Sequence, residues 1–177
     1  MLFRSSGGVG TAVMQIARAH GMRVLGTAGT PQGLDLVRAQ GADEAFNHHD
    51  TDYLDKVKDA TGGNGVDVIV EMLANVNLDR DLDLLARGGR VSIVGNRGRV
   101  EIDPRKIMAK EGAVFGMVMF NSIPAELREI HTGLVAALER GALKPVVGKE
   151  FPLKDAPAAH TAVMALGAGG KIVLRCS

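Results

Sequence analysis

Ser5-Ser6-Gly7-Gly8-Val9-Gly10 opens directly into Thr11-Ala12-Val13-Met14-Gln15-Ile16-Ala17, a stretch of good helical composition. The spacing is Gly-x-Gly-x-x-Gly with Ser5 in the place of the first glycine. In such a turn Gly7 lets the backbone approach a pyrophosphate with no Cβ in the way, and Gly10 lets the helix lie close on its strand. The N–H groups of the helix start then face the phosphates. A glycine run of this kind also serves as a plain turn, so its surroundings decide. Met22-Arg23-Val24-Leu25-Gly26-Thr27-Ala28 follows as an apolar run of strand length and completes a β-turn-α-β unit of about 30 residues. Only Met1-Leu2-Phe3-Arg4 precede the turn, where a whole buried strand is usual. The expectation is a fold entered partway, with its first strand shortened.

The remaining pattern alternates. Thr30-Pro31 starts a helix through Leu34 and Val37 that stops at Gly41, and residues 45–47 read as a short strand. Residues 52–60 form a helix with Leu54 and Val57 on one face, ended by the glycines of 61–65, and Val66-Asp67-Val68-Ile69-Val70-Glu71 is the clearest buried strand. Asn75 is placed to cap a helix carrying Leu78, Leu82 and Leu85 on one face, with Gly88-Gly89 as its stop. Residues 90–95 and 113–120 are the fifth and sixth strands.

Strands alternating with helices in this way predict an α/β fold: a doubly wound parallel sheet of the Rossmann type over residues 1–120. Beyond it come a helix over 124–140 with Leu127, Ile130, Leu134 and Leu138 as a packing stripe, an interrupted extended segment over 144–152, a helix over 155–166 and a strand over 171–174. These have no place in six strands, so residues 121–177 read as the tail of an incomplete second domain.

Bulk composition narrows the function classes. A hydrophobic fraction of 46% with 23% charged residues is that of a soluble globular protein. The net charge of +1, with no basic run interleaved with aromatics, gives no reason to expect nucleic acid as a partner. No apolar stretch is long enough to span a membrane, and Cys176 alone cannot form an internal disulfide; both fit a cytoplasmic setting.

The second strand of a dinucleotide-binding fold ends where the cofactor is chosen, and an NAD-preferring protein carries an Asp or Glu there. Here the positions are Thr27-Ala28-Gly29-Thr30, and the next acid is Asp35. Without that carboxylate nothing repels a 2′-phosphate, so NADP(H) is favoured, although the same four residues also suit a simple turn. His48-His49 invites a metal reading, but no ligand spacing surrounds the pair and a solvent-facing loop is the plainer one. His48, after the third strand, is also placed to lie beside the adenosine phosphate. Gly95-Asn96-Arg97-Gly98 closes the fifth strand, either as a tight turn or as backbone near the nicotinamide half of a cofactor. Tyr53 with Lys56 misses the Tyr-x-x-x-Lys spacing of short-chain dehydrogenases, and there is neither a Gly-Lys-Ser/Thr loop nor a Gly-x-Ser-x-Gly elbow.

Several longer stretches carry a resemblance. Ser6-Gly7-Gly8-Val9-Gly10, Gln15-Ile16-Ala17-Arg18-Ala19, Gly26-Thr27-Ala28-Gly29-Thr30 and Glu71-Met72-Leu73-Ala74-Asn75-Val76-Asn77-Leu78 resemble the zinc-free quinone oxidoreductases of the medium-chain dehydrogenase/reductase superfamily, nearest the zeta-crystallin-like group. Gly88-Gly89-Arg90-Val91, Pro104-Arg105 with Met108-Ala109-Lys110-Glu111, and Leu143-Lys144-Pro145-Val146 extend the likeness over nearly the whole chain.

The resemblance implies NADPH-dependent reduction of quinones or related small electrophiles, in a cleft between the nucleotide domain and an N-terminal catalytic domain. It implies Ser6, Gly7, Gly8, Val9, Gly10, Thr27, Ala28, Gly29, Thr30, His48, Leu73, Gly95, Asn96 and Arg97 as cofactor contacts, with no catalytic acid or base in this stretch. It further implies a homodimer through the strand 114–119, and residues 121–177 as part of a GroES-like catalytic domain. Arg4-Ser5 departs from the small Gly-Ala pair usual in that family. An enoyl reductase or alcohol dehydrogenase relative, and a non-enzymatic nucleotide-binding or dimerising fragment, are the alternatives.

Overall fold

The computed structural model describes residues 2–4, 6–165 and 169–176, the first three by backbone alone. Ser5 and the predicted helix end at Leu166 therefore lie outside the described residues. The strands are β1 (Leu2–Arg4), β2 (Leu25–Ala28), β3 (Glu44–Asn47), β4 (Val66–Glu71), β5 (Leu85–Ile93), β6 (Ala113–Gly116), β7 (Val147–Pro152) and β8 (Lys171–Arg175). The helices are α1 (Gly8–Ala19), α2 (Pro31–Ala39), α3 (Tyr53–Ala60), α4 (Ala74–Leu84), α5 (Pro104–Lys110), α6 (Pro124–Glu139) and α7 (Ala156–Met164). Two compact units result, Met1–Phe3 with His48–Arg128 and Arg4–Asn47 with Glu129–Ser177.

The first unit is a parallel sheet in the order β1-β4-β5-β6. Leu2 faces Ile69, Ile69 faces Val91 and Val91 faces Val114 in register. Val66, Ile69 and Val70 are buried, as a strand covered on both faces requires, and Leu78 and Leu82 bring the inner face of α4 onto them. Each fully buried aliphatic side chain contributes about 1.5–3 kcal/mol, and Leu82, Leu84, Leu85 and Val91 are among them. Lys106 fastens α5 to α4 through Asp79 at 2.7 Å and Asp83 at 2.8 Å.

Two predicted boundaries move. The Gly88-Gly89 pair does not stop α4, which ends at Leu84; it lies inside β5. Val66 faces Leu85 whereas Val68 faces Arg90, so the intervening residues bulge out, and Gly88 takes the left-handed φ of +73° that a bulge needs. The predicted sixth strand is cut to 113–116, with a 3-10 turn at Met119–Asn121, so the apolar run continues without strand geometry.

The second unit holds two parallel pairs, β2 with β3 and β7 with β8. Thr30 caps α2 by accepting the Gly33 N–H at 3.0 Å, with Pro31 at the first helical position as predicted. Met14, Ala17, Val24, Leu25 and Val37 are its buried apolar residues near the glycine turn. α6 forms where predicted but fully buries none of its residues: Leu127 and Leu134 are half-buried, while Ile130 and Leu138 remain 46% and 44% exposed.

Candidate functional site

The glycine turn belongs to the second unit. α1 starts at Gly8, earlier than its composition suggested, with Gly7 as an extended N-cap at φ −89° and ψ 172°. The first helical bond is Thr11 N–H to Gly7 O at 2.9 Å. The preceding N–H groups of the first turn have no carbonyl partner within a helix and carry the positive end of its dipole. No side chain caps them and no acid lies in that turn. A Cβ built on Gly7 would meet none of the described residues within 4 Å, so the turn is open on that side among them. Gly8 is closed in: its Cβ would stand 3.2–3.4 Å from Lys171, and Gly7 bridges Gly170 in parallel.

Ser6 and the turn after β2 converge on Gly33. A Cβ there would stand 3.0 Å from both the Ala28 Cβ and the Thr30 Oγ1, and 3.5 Å from the Ser6 Cβ. Thr27 and Ala28 are 4% and 1% exposed, so their side chains pack inward, and Gly29 and Thr30 are the outward positions of the turn. Of the side chains at this turn, that of Thr30 is the exposed one. The Thr30 hydroxyl accepts from Gly33 N–H and still has its own proton to donate.

Leu73 and Gly95 to Arg97 lie in the first unit, at the carboxyl ends of β4 and β5, where parallel sheets present ligands, and His48 directly follows β3. The Glu71 carbonyl accepts the N–H groups of Val94 at 2.9 Å and Gly95 at 3.2 Å, and Ala74 N–H donates to Gly95 O at 3.1 Å. Gly95 is obligatory: a Cβ there would overlap Met72 O. Asn96 folds its carboxamide onto Gly98 O at 2.7 Å, and Asn75 accepts the Arg97 N–H at 2.9 Å. Asn75 is thus not the helix cap; Leu73 holds that position. Leu73 and the 95–97 turn are brought together. His48 is half-buried and its ring meets His49 edge to face at 4.6 Å, so the neighbouring rings are in contact.

Residues that the sequence left unremarked complete the geometry. Gln15 pairs with both backbone groups of Lys144, donating to its O at 3.0 Å and accepting its N–H at 2.6 Å. Glu71 is 3% exposed and accepts from both Leu73 N–H and Asn77 Nδ2. The one signal for it was a carboxylate closing a strand that is apolar apart from Asp67. Among the described residues no group of three His, Cys, Asp or Glu side chains is placed to hold a metal ion. The uncapped glycine turn fits the diphosphate of a dinucleotide.

The zinc-binding dehydrogenase profile matches residues 8–136. The chain is 49% identical over 171 residues to the quinone oxidoreductase of Homo sapiens, covering 96% of this chain and 52% of that protein. It spans about half the length of the curated relatives it matches. The quinone oxidoreductase of Thermus thermophilus, solved also with NADPH, superposes with a TM-score of 0.84 at 35% identity, over 98% of this chain and 57% of that one. An NAD-dependent alcohol dehydrogenase superposes at 0.89 with 28% identity, over 99% and 50%. The parallel α/β architecture read from the glycine turn is thus that of these dehydrogenases.

Proposed function

Because the chain belongs to the zinc-binding dehydrogenase family, we propose that it forms the NADP(H)-binding portion of an oxidoreductase that reduces quinones or related small electrophiles. The observation that carries this reading is the open glycine turn at the uncapped, acid-free start of α1. Ser6 to Gly10 hold the diphosphate there, and Thr27 to Thr30 border the adenosine ribose, with Gly29 and Thr30 outward. His48 flanks the adenosine phosphate, while Leu73 and Gly95 to Arg97 border the nicotinamide half. The bound dinucleotide supplies hydride, and the protein's part is binding, orientation and exclusion of water. None of these residues is assigned as a catalytic acid or base.

Residues 1–120 are the dinucleotide-binding domain in this reading, and 121–177 contribute to a catalytic domain. Two-stranded β7–β8 supports it, since a pair of strands is marginal alone and this one, with α7 beside it, leaves Val147 and Leu174 of the strands and Val163 and Met164 of the helix exposed. The run 114–119 is the homodimer contact: Phe115 in β6, the last strand of its sheet, and Met117, Val118 and Met119 just beyond that strand are each more than half exposed. The setting is cytoplasmic, and the enzyme works without zinc.

The likeness to an alcohol dehydrogenase favours a second reading, a related medium-chain reductase acting on another substrate. NADPH consumption by the chain, and by a fusion carrying the N-terminal half of a close relative, tests both. Quinone-dependent turnover by the fusion with binding alone by the chain supports the first reading. Turnover only with alcohols or enoyl substrates supports the second.

A further inference from the structure

We propose that Glu71 is a positioning residue for the dinucleotide, acting through Leu73. It rests on the cofactor reading above. Glu71 closes β4 and is almost fully buried, an expensive place for a carboxylate without compensating hydrogen bonds. Its backbone carbonyl holds Val94 and Gly95, the start of the turn after β5. Its side-chain Oε1 accepts from Leu73 N–H, at the start of α4, and from Asn77 Nδ2 at 3.1 Å one turn further along that helix. One residue therefore ties the β4 corner, the β5 turn and α4 together. Leu73 has no side-chain cap to offer, and the Glu71 carboxylate at the helix start is the favourable partner for the dipole. Without that acceptor the part-buried Leu73 N–H loses its partner, and the corner that borders the nicotinamide half loses its fixed shape.

The Asn77 contact separates positioning from plain stability. Asn77→Ala removes the Glu71–Asn77 bond but leaves the Leu73 N–H its acceptor. Glu71→Met, close in volume, removes both. Glu71→Gln keeps one oxygen able to accept from both donors. NADPH titrations of the chain by nicotinamide fluorescence, well below each melting temperature, read the difference. Glu71→Met is expected to weaken NADPH binding about tenfold, with Glu71→Gln and Asn77→Ala close to the unaltered chain although Asn77→Ala melts lower. Equal loss of affinity in Glu71→Met and Asn77→Ala, or no loss in Glu71→Met, overturns the proposal. If Glu71→Met does not fold, the other two decide: retained affinity in both supports the role, and weakened binding by Asn77→Ala contradicts it. Failure of the unaltered chain to bind NADPH would instead sink the cofactor reading itself.

Discussion

The Asn75 side-chain oxygen accepts the Arg97 N–H at 2.9 Å, so the first turn of α4 carries the turn that closes β5. Asn75→Ala frees that turn at a stability cost of about 1 kcal/mol, the net worth of one hydrogen bond. NADPH affinity is expected to fall severalfold, while Asn75→Asp, which keeps the acceptor, stays near the unaltered chain. Fluorescence titration and urea melts on the two variants check it. Equal affinity in all three would remove the turn from the binding site.

Gly95→Ala tests the packing of the same corner. Its Cβ would overlap Met72 O, a backbone atom of the corner between β4 and α4. The expected loss is about 1–3 kcal/mol, as for overpacking elsewhere, read as a lowered urea midpoint. A variant as stable as the original would mean that the corner is looser than described.

Thr30→Asp addresses the choice of cofactor. Asp is as good an N-cap as Thr, so α2 keeps its acceptor for the Gly33 N–H while a negative charge enters the outward side of the turn. NADPH binding is expected to drop by about tenfold through repulsion of the 2′-phosphate, with NADH binding held or improved. Ala28→Asp instead forces a carboxylate into a buried site beside Gly33 and is expected to unfold the turn. Parallel loss of NADH and NADPH binding in Thr30→Asp would contradict this placement.

Asp43 sets an acid limit on the second unit. The Val24 N–H holds its carboxylate below the usual range first, with Arg18 adding to it against the cost of desolvation. Because the folded value lies below the unfolded one, the stabilisation is complete above the unfolded pKa of about 4 and is lost as pH falls through the folded value. Asp43→Asn keeps an oxygen for Val24 but does not titrate. Denaturant melts between about pH 6 and pH 3 should show a shallower acid decline in the variant; identical declines would exclude Asp43 as a contributor.

The fold was legible where structure is local. The glycine turn, the Thr30-Pro31 helix start and the buried run 66–71 each announce themselves within a few residues, and all three form as read. Gly88-Gly89 misled because a helix stop and a strand bulge call for the same residue; only the pairing of β5 with β4 separates them. The α6 stripe misled because periodicity states which residues share a face, and says nothing of what covers it. At the site, loop positions were readable as backbone, whereas Asn75 on Arg97, Gln15 on Lys144 and Glu71 on Leu73 depend on where side chains end up after folding. Ala28, within the turn after β2, packs inward, which its place in the sequence does not reveal.

Calorimetric titration of the chain with NADPH and NADH, repeated on Gly7→Asp, tests the central claim. Gly7 has an extended backbone open to any residue and none of the described residues within 4 Å of its Cβ position, so the substitution is expected to leave the fold and melting temperature intact. It also sets a negative charge before the helix start where the diphosphate is to lie. The account expects one NADPH per chain, bound more tightly than NADH, and no detectable binding by the folded Gly7→Asp variant. NADPH bound equally well by that variant, or not at all by the unaltered chain, would contradict it.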